Sequence, residues 1–467
     1  MSTSKSDFNS KDDVKNAIKI HRENETSKKR KHEVLDKFYD ENNQLTKKGT
    51  YRKKKKDGLW EYFHKNGQLS GRGTYIDGKQ EGLFERYHEN GQLKEKGIYK
   101  DGEAEGIWER YHENGQLKEK GSFKNGKQKG LFETYHDNGQ LKKTGIFKDE
   151  MQEGVWEWFH KNGQLKCKGK FKKGKQKGVW RFYYKNGQLE GKGTFKNGKQ
   201  EGLWRFYHED GQLNGKGLYR DGEKEDMWEW FHEKGQLKEK VRFKGGKEQG
   251  IWETYHENGQ LKEAGRFKDG KQEGLWKSYH DNGQLHGKGI FRNGEQEGLL
   301  ENYHKNGQLK CKVTFKKGKR EGGWKFYYEN GQLKETGRFK GGKQDGLWKS
   351  YYENGQIYCK GKYKEDKREG LWKFYHENSQ LKQNGIYRDG EKHGLFEWYH
   401  DNEQLEVKGT FIGGKQEGLF ERYYDNSQLK KKGAFRNDEL DGTYEEYNRD
   451  GELVKKGRNV NGEFIQD

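Results

Sequence analysis

The sequence predicts an all-β protein: an elongated single-layer antiparallel meander of about 18 tandem 24-residue β-hairpin repeats, forming a twisted ribbon. Three observations predict it. First, a Gln-Leu pair recurs every 24 residues from Leu45 to Leu453, with Ile357 in place of Leu in one copy and Glu452 in place of Gln in the last, giving 18 copies without insertion or deletion. A period in this range marks one supersecondary unit copied into an array. Second, each copy alternates short aromatic-rich runs with Asn-Gly or Asp-Gly breakers, as in GLFERYHENGQLKEKGIYKDGEAE at residues 82–105. Third, the 467 residues include no proline, so no ladder N–H is lost to one.

Composition separates this chain from a disordered one. Only 28% of residues are hydrophobic and 37% are charged, which by itself reads as disorder. Yet 14% are aromatic, and the aromatics keep the 24-residue phase. An ordered stripe of rings fits this better than a solvated coil. The 96 Lys and Arg stand against 76 Asp and Glu, a formal charge of +20 with both signs spread through each copy. Such a surface serves solubility first and an anionic partner second.

Taken in order, residues 1–31 carry no repeat and read as a flexible basic N-terminal arm, with a short helix around residues 14–20. Lys28, Lys29, Arg30 and Lys31 form a basic run, either a solvated charge run or a contact for an acidic surface or import receptor. Residues 32–467 form the repeat array, with degenerate first and last copies. Asp36 stands where later copies place Trp or Phe, as expected of a terminal repeat with one side in water.

Within a copy, LFERYH (83–88) and residues 92–100 are two strands joined at Asn90-Gly91. Asn-Gly suits a two-residue hairpin turn with both residues at positive φ. That loop pairs His88 with Leu93, Arg86 with Glu95, Glu85 with Lys96 and Phe84 with Gly97. A three-residue loop would set Glu85 against Glu95, a like-charge pair that cross-strand neighbours avoid. The register also sets Trp108 opposite Gly121, Trp156 opposite Gly169 and Trp204 opposite Gly217, so each ring is expected to lie over a residue without a side chain. Val241 and Val313 replace that glycine opposite Trp228 and Leu300; the second exchange compensates in size and the first does not. The ring face is expected to carry Trp or Phe, His or Tyr, Leu93 and Tyr99 equivalents, with like residues stacked about 9.6 Å apart.

Cys167, Cys311 and Cys359 occupy equivalent positions six and two copies apart. The nearer pair would be about 19 Å apart, beyond the ~7 Å that a disulfide spans, so three free thiols and a reducing compartment are expected.

The motif GLWExYHENGQLKxKGxYKDGKQE resembles the MORN (membrane occupation and recognition nexus) repeat, in the variant found in antitoxin-like bacterial and large-DNA-virus proteins. The resemblance covers residues 35–464. It implies an elongated antiparallel sheet of hairpins and roles in scaffolding, dimerisation or phospholipid contact. The original consensus opens Tyr-x-Gly-x-Trp, whereas this chain has Gly-Leu-Trp, a departure that bears on the lipid role.

Catalytic, cofactor and metal sites are all expected to be absent. The histidine row, His64 to His400, places neighbours about 9.6 Å apart, while zinc needs each nitrogen within ~2.1 Å of the ion. Tyr184, Tyr328, Tyr352 and Tyr424 take the same position, which suits a packing ring better than a ligand. No phosphate loop occurs, and Glu85 and Glu95 equivalents are paired with Lys or Arg. The expected function is a non-enzymatic scaffold for protein–protein interaction through an extended aromatic β-surface. Trp108, Trp156, Trp204, Trp252 and Trp276 are its candidate contacts, and self-association is open. The alternative is peripheral binding to an anionic surface, acidic phospholipid or nucleic acid, through Lys/Arg and aromatics. No run of ~18 apolar residues and no secretory pattern at the start suggest an intracellular, cytoplasmic protein. In a eukaryotic host the basic run could direct nuclear import.

Overall fold

The computed structural model describes residues 35–460 and 463–466. The arm, its expected helix at 14–20 and the run Lys28–Lys31 lie outside the described residues. The chain divides into two compact units, Met1–Lys199 and Gln200–Asp467. The described residues form 38 strands and no helix. The pairs β5 (Lys79–Tyr87) with β6 (Leu93–Lys100) and β6 with β7 (Glu103–Tyr111) show the plan: each strand is antiparallel to its sequence neighbours, except that Lys343–Gln344 and Gly346–Tyr351 are two pieces of one interrupted strand, both paired with Leu333–Lys340. In the first unit this meander runs from β1 (Leu35–Tyr39) to β14 (Leu189–Lys196), and in the second from β15 (Lys199–Tyr207) to β38 (Glu463–Gln466).

The body of the register is the expected one: Phe84 pairs with Gly97, Glu85 with Lys96 and Arg86 with Glu95. The turn that produces it is not. Gly91 N–H donates to His88 O at 2.9 Å and His88 N–H to Gln92 O at 2.8 Å, so the loop is the three residues Glu89-Asn90-Gly91. Gly91 alone has positive φ, at 79°. The like-charge pairing is avoided by a bulge: Tyr87, not His88, pairs with Leu93, and Lys94 is the extra residue before Glu95. The bulge also moves Leu93 off the ring face to join Tyr87 on the other.

Asparagine is therefore there for its side chain. Asn90 Oδ1 accepts from Gln92 N–H at 3.0 Å, and Nδ2 donates to Glu113 O in the next copy's turn at 2.9 Å. Asn114, Asn138 and Asn162 repeat the link, at 3.0, 2.8 and 2.8 Å. The turn with two positive-φ residues is the other one, Asp101-Gly102, at 53° and 87°. The side chain of Glu81 accepts its first N–H, from Asp101, at 2.8 Å.

The glycine rule holds, with a different glycine. Trp108 pairs with Gly121 as expected, but its ring lies across the preceding strand. A β-carbon at Gly97 would fall among the Trp108 ring atoms, closer than real β-carbons come to any atom. Trp156 covers Gly145, Trp228 covers Gly217 and Trp372 covers Gly361 in the same way. The cause is the αL residue two positions before the ring, Gly106 at φ 71°. It bulges the strand between Glu105 and Glu109 and tips the ring back, so that Trp108 Nε1 donates to Ile98 O at 3.2 Å.

This geometry accounts for Val241. Val241 is 2% exposed and fills the seat that Trp252 would take. Trp252 is left half-buried, with its indole N–H on Glu239 Oε1 at 2.8 Å in place of a backbone carbonyl. The size compensation expected between Val313 and Leu300 is not what matters. Leu300 leans onto Gly289, and the ring that yields to Val313 is Trp324, whose buried indole N–H has no hydrogen-bond partner.

In most copies the rings do not stack like on like; equivalent rings meet directly where valine displaces one of them, at Trp252–Trp276, 5.0 Å, and Trp324–Trp348, 4.5 Å. Large rings alternate edge-to-face with the ring of the intervening strand: Phe84–Tyr99 at 5.5 Å, Tyr99–Trp108 at 4.9 Å and, in the second unit, Tyr363–Trp372 at 5.0 Å. Edge-to-face pairs contribute about 0.5–1.5 kcal/mol each beyond the area they bury. This zipper, in place of a second layer, is the core.

Candidate functional site

The candidate tryptophans sit inside the zipper. Trp156 is 0% exposed, Trp204 2%, Trp108 and Trp276 8%, and Trp252 is half-buried. A ring seated on glycine and edged by Tyr or Phe has little surface left for a partner. In several copies a cation covers the rings as well. Lys224 Nζ lies 4.6 Å from the ring centres of Trp228 and Trp230 and 4.9 Å from Phe243, and burial lowers its pKa. Lys392 repeats this over Phe396, Trp398 and Phe411, and Arg368 over Trp372, Phe374 and Tyr387. Such contacts are worth about 0.5–2 kcal/mol.

The opposite face is the open one. There Leu83 pairs with Ile98 and Tyr87 with Leu93. The first of these rows is exposed at nearly every copy: Leu83 45%, Val155 49%, Val179 50%, Leu275 51%, Leu371 53% and Leu419 51%. Single exposed apolar residues need no explanation, but a row recurring on one face at every second strand does. Its period is visible in the sequence; its exposure is not, because it depends on the rings of the other face closing over one another and leaving this face uncovered.

Charged neighbours on this face are tied down. Tyr111 Oη donates to Glu109 Oε2 at 2.8 Å, while Lys96 and Lys120 approach the same carboxylate at 3.0 and 3.3 Å. Burial pushes the Glu109 pKa up, but the Tyr111 and Lys96 hydrogen bonds outweigh it and hold the carboxyl below its usual range. Glu301 is lowered as well, chiefly by its bond to Lys288. Carboxylates held ionised in this way are poor proton donors.

The histidines serve the backbone. His64 Nε2 bonds Tyr87 O at 2.9 Å, and His256 bonds Tyr279 O at 3.0 Å, across to the next copy. Tyr328 and Tyr352 make the same bond with their hydroxyls, to Tyr351 O and Tyr375 O at 2.8 Å each. A shared donor role explains why His and Tyr exchange here. His256→Tyr is therefore expected to leave stability within about 0.5 kcal/mol, whereas His256→Phe, which keeps a ring and loses the donor, is expected to cost about 0.5–1.5 kcal/mol in urea denaturation.

Among the described residues no group of three or more His, Cys, Asp or Glu is arranged to hold a metal ion. Cys167, Cys311 and Cys359 are free, and burial raises each thiol, Cys167 to about 11. Since the thiolate is the reactive form, native alkylation by iodoacetamide at pH 7.5 is expected to run at least tenfold slower than in urea. Equal rates would contradict this burial.

Eighteen in-phase copies and a hairpin ladder define a tandem β-hairpin repeat protein. The model of the MORN repeat variant matches sixteen segments between residues 56 and 437, and the chain belongs to that family. The match at the Asp226 copy begins only at residue 227. Asp226 occupies the αL site at φ 57° in place of glycine, and Arg242 Nη2 pairs with it at 3.2 Å. No curated protein matches the chain. Similar solved structures include a TcdB2–TccC3–Cdc42 complex, at 13% identity and TM-score 0.14, covering 92% of this chain and 26% of that one. A Photorhabdus luminescens Tc holotoxin pore is similar at 13% identity and TM-score 0.15, covering 91% and 26%. The chain thus spans about a quarter of the length of these structures. Among the described residues no helix is long and apolar enough to cross a membrane.

Proposed function

We propose that the protein is a non-enzymatic scaffold that binds a protein partner through its extended β-surface. The observation that carries this reading is the row of half-exposed aliphatic side chains on the face away from the zipper, with Leu347, Leu371, Leu395 and Leu419 at 51–54% exposure in the second unit. Repeat proteins bind through surfaces of this kind, in which many equal small contacts add up. The buried tryptophans then hold the surface in shape, and the aliphatic row replaces them as the contact. Immobilised wild-type chain is expected to retain a protein from native lysate that a Leu371→Asp/Leu395→Asp/Leu419→Asp variant with unchanged circular dichroism does not. Identical retained proteins would refute this use of the face.

A second reading, peripheral binding to an anionic surface, is favoured by one observation. Turns such as Lys172–Lys175 and Lys316–Lys319 set lysines directly opposite one another. Binding of this kind must weaken steeply with salt. Retention on heparin at low salt that persists unchanged at about 0.5 M would exclude it.

A further inference from the structure

The two kinds of turn differ in charge as well as in shape. In the second unit the two-residue turns are residues 220–223 and each set 24 further on, to 436–439. Together they hold 16 Lys and Arg against 10 Asp and Glu, a net +6. The three-residue turns with their closing pairs are residues 208–212 and each set 24 further on, to 448–452. They hold 3 Lys and Arg against 13 Asp and Glu, a net −10. In an up-and-down meander these two kinds of turn fall at opposite ends of the strands. One row is therefore basic and the other acidic, although the composition alone shows mixed charge. In the first unit the same rows carry +9 and −2.

Folding does not ask for this arrangement. Lys244 pairs with Lys247, Lys268 with Lys271, Lys316 with Lys319, Lys340 with Lys343 and Lys364 with Lys367. Like charges directly opposite one another destabilise a hairpin. Some of the acidic row is neutralised within the chain, as where Lys305 meets Asp281 at 3.3 Å and Arg449 meets Asp425. The net excess of each sign remains.

We propose that the acidic turn row of the second unit docks laterally on the basic turn row of a second copy of this chain. Both rows advance by one turn per 24 residues, about 9.6 Å, so two copies match turn for turn over the unit. A polyanion would use the basic row and be repelled by the other, whereas a second copy uses both. The contact joins unlike surfaces, so a joined pair keeps one free row of each sign, basic on one copy and acidic on the other, and growth is open-ended. The contact needs no unpaired strand edge. It is carried by exposed charges, which are screened over about 8 Å at physiological ionic strength and over about 30 Å at 0.01 M.

The test is sedimentation velocity of the full chain at about 0.02 M and about 0.5 M salt. Mass is expected to rise at least twofold with protein concentration at low salt and to return to that of the monomer at high salt. A basic-row variant, K316E/K319E/K340E/K343E, and an acidic-row variant, E329K/E353K/E377K/D401K, are each expected to lose this growth. A mixture of the two is expected to recover a salt-sensitive complex. Circular dichroism of both variants checks that they fold; none of the eight positions has positive φ. A monomer at both salts, growth insensitive to salt, or variants that assemble like wild type would overturn the proposal. So would a monomeric wild type that retains a single-stranded DNA probe at low salt, which would assign the basic row to a polyanion.

Discussion

Trp372→Ala is expected to destabilise the second unit by about 3–5 kcal/mol, the range for removing a large buried ring. Trp372 is 1% exposed, its Nε1 donates to Lys362 O at 3.0 Å, and it meets Tyr363 and Tyr387 edge-to-face at 5.0 and 6.4 Å. Removing it opens a gap in the zipper, leaves Arg368 without one of its three rings, and exposes the bare backbone of Gly361. No second layer can collapse into the space. Because repeats contact their neighbours, the loss is expected to be local. Hydrogen exchange should speed up most in β29 (Ile357–Lys364), β30 (Lys367–Tyr375) and β31 (Leu381–Arg388), with distant strands little changed. Uniform acceleration along the second unit would show that the zipper is cooperative over a longer range than this structure implies.

Gly361→Val is expected to cost about 2–4 kcal/mol by the opposite route, overpacking and loss of the ring's seat. A β-carbon at Gly361 would fall among the Trp372 ring atoms. Val241 shows the outcome in the natural sequence: the valine is buried and Trp252 is displaced to a side-chain acceptor. The Trp372 indole should accordingly lose Lys362 O and become more exposed, with a red-shifted emission. A double-mutant cycle separates this from a general intolerance of valine. In a Trp372→Ala background Gly361→Val should cost less than half as much, because the clash has gone. Additive costs would mean that glycine is required for the backbone and not for the ring. Two residues in contact are expected to couple by about 0.5–3 kcal/mol.

Much of this was legible in the chain. The phase of Leu45 to Leu453 marks the hairpin units, and the alternation of Arg86/Glu95 and Glu85/Lys96 marks the pairing, since opposite charges face one another in only one register. The turn was misjudged because Asn-Gly supports two loops of different length. The choice falls to a bulge at Lys94 and to an Asn90 bond that reaches into another copy. The seat of Trp108 lies on the strand before it, at Gly97, and not on the strand after it, at Gly121. Gly121 pairs with Trp108 and Gly97 stands in the bulge on the strand along its other side, and only the tilt imposed at Gly106 selects between them. The candidate contacts followed from that choice: rings taken to lie open on the sheet are closed beneath their neighbours.

By itself the sequence determined the repeat length, the all-β class, the strand register and the sites where a large ring requires a bare backbone. These follow from local chemistry: breaker residues, two-residue alternation and the sign of facing charges. The tertiary structure alone decided which neighbour each ring leans on, which face stays open and which end of the strands each charge reaches. Those depend on the direction in which αL glycines and bulges tip the strands, and a direction in space is set by the chain folded against its neighbours, not by the order of its residues.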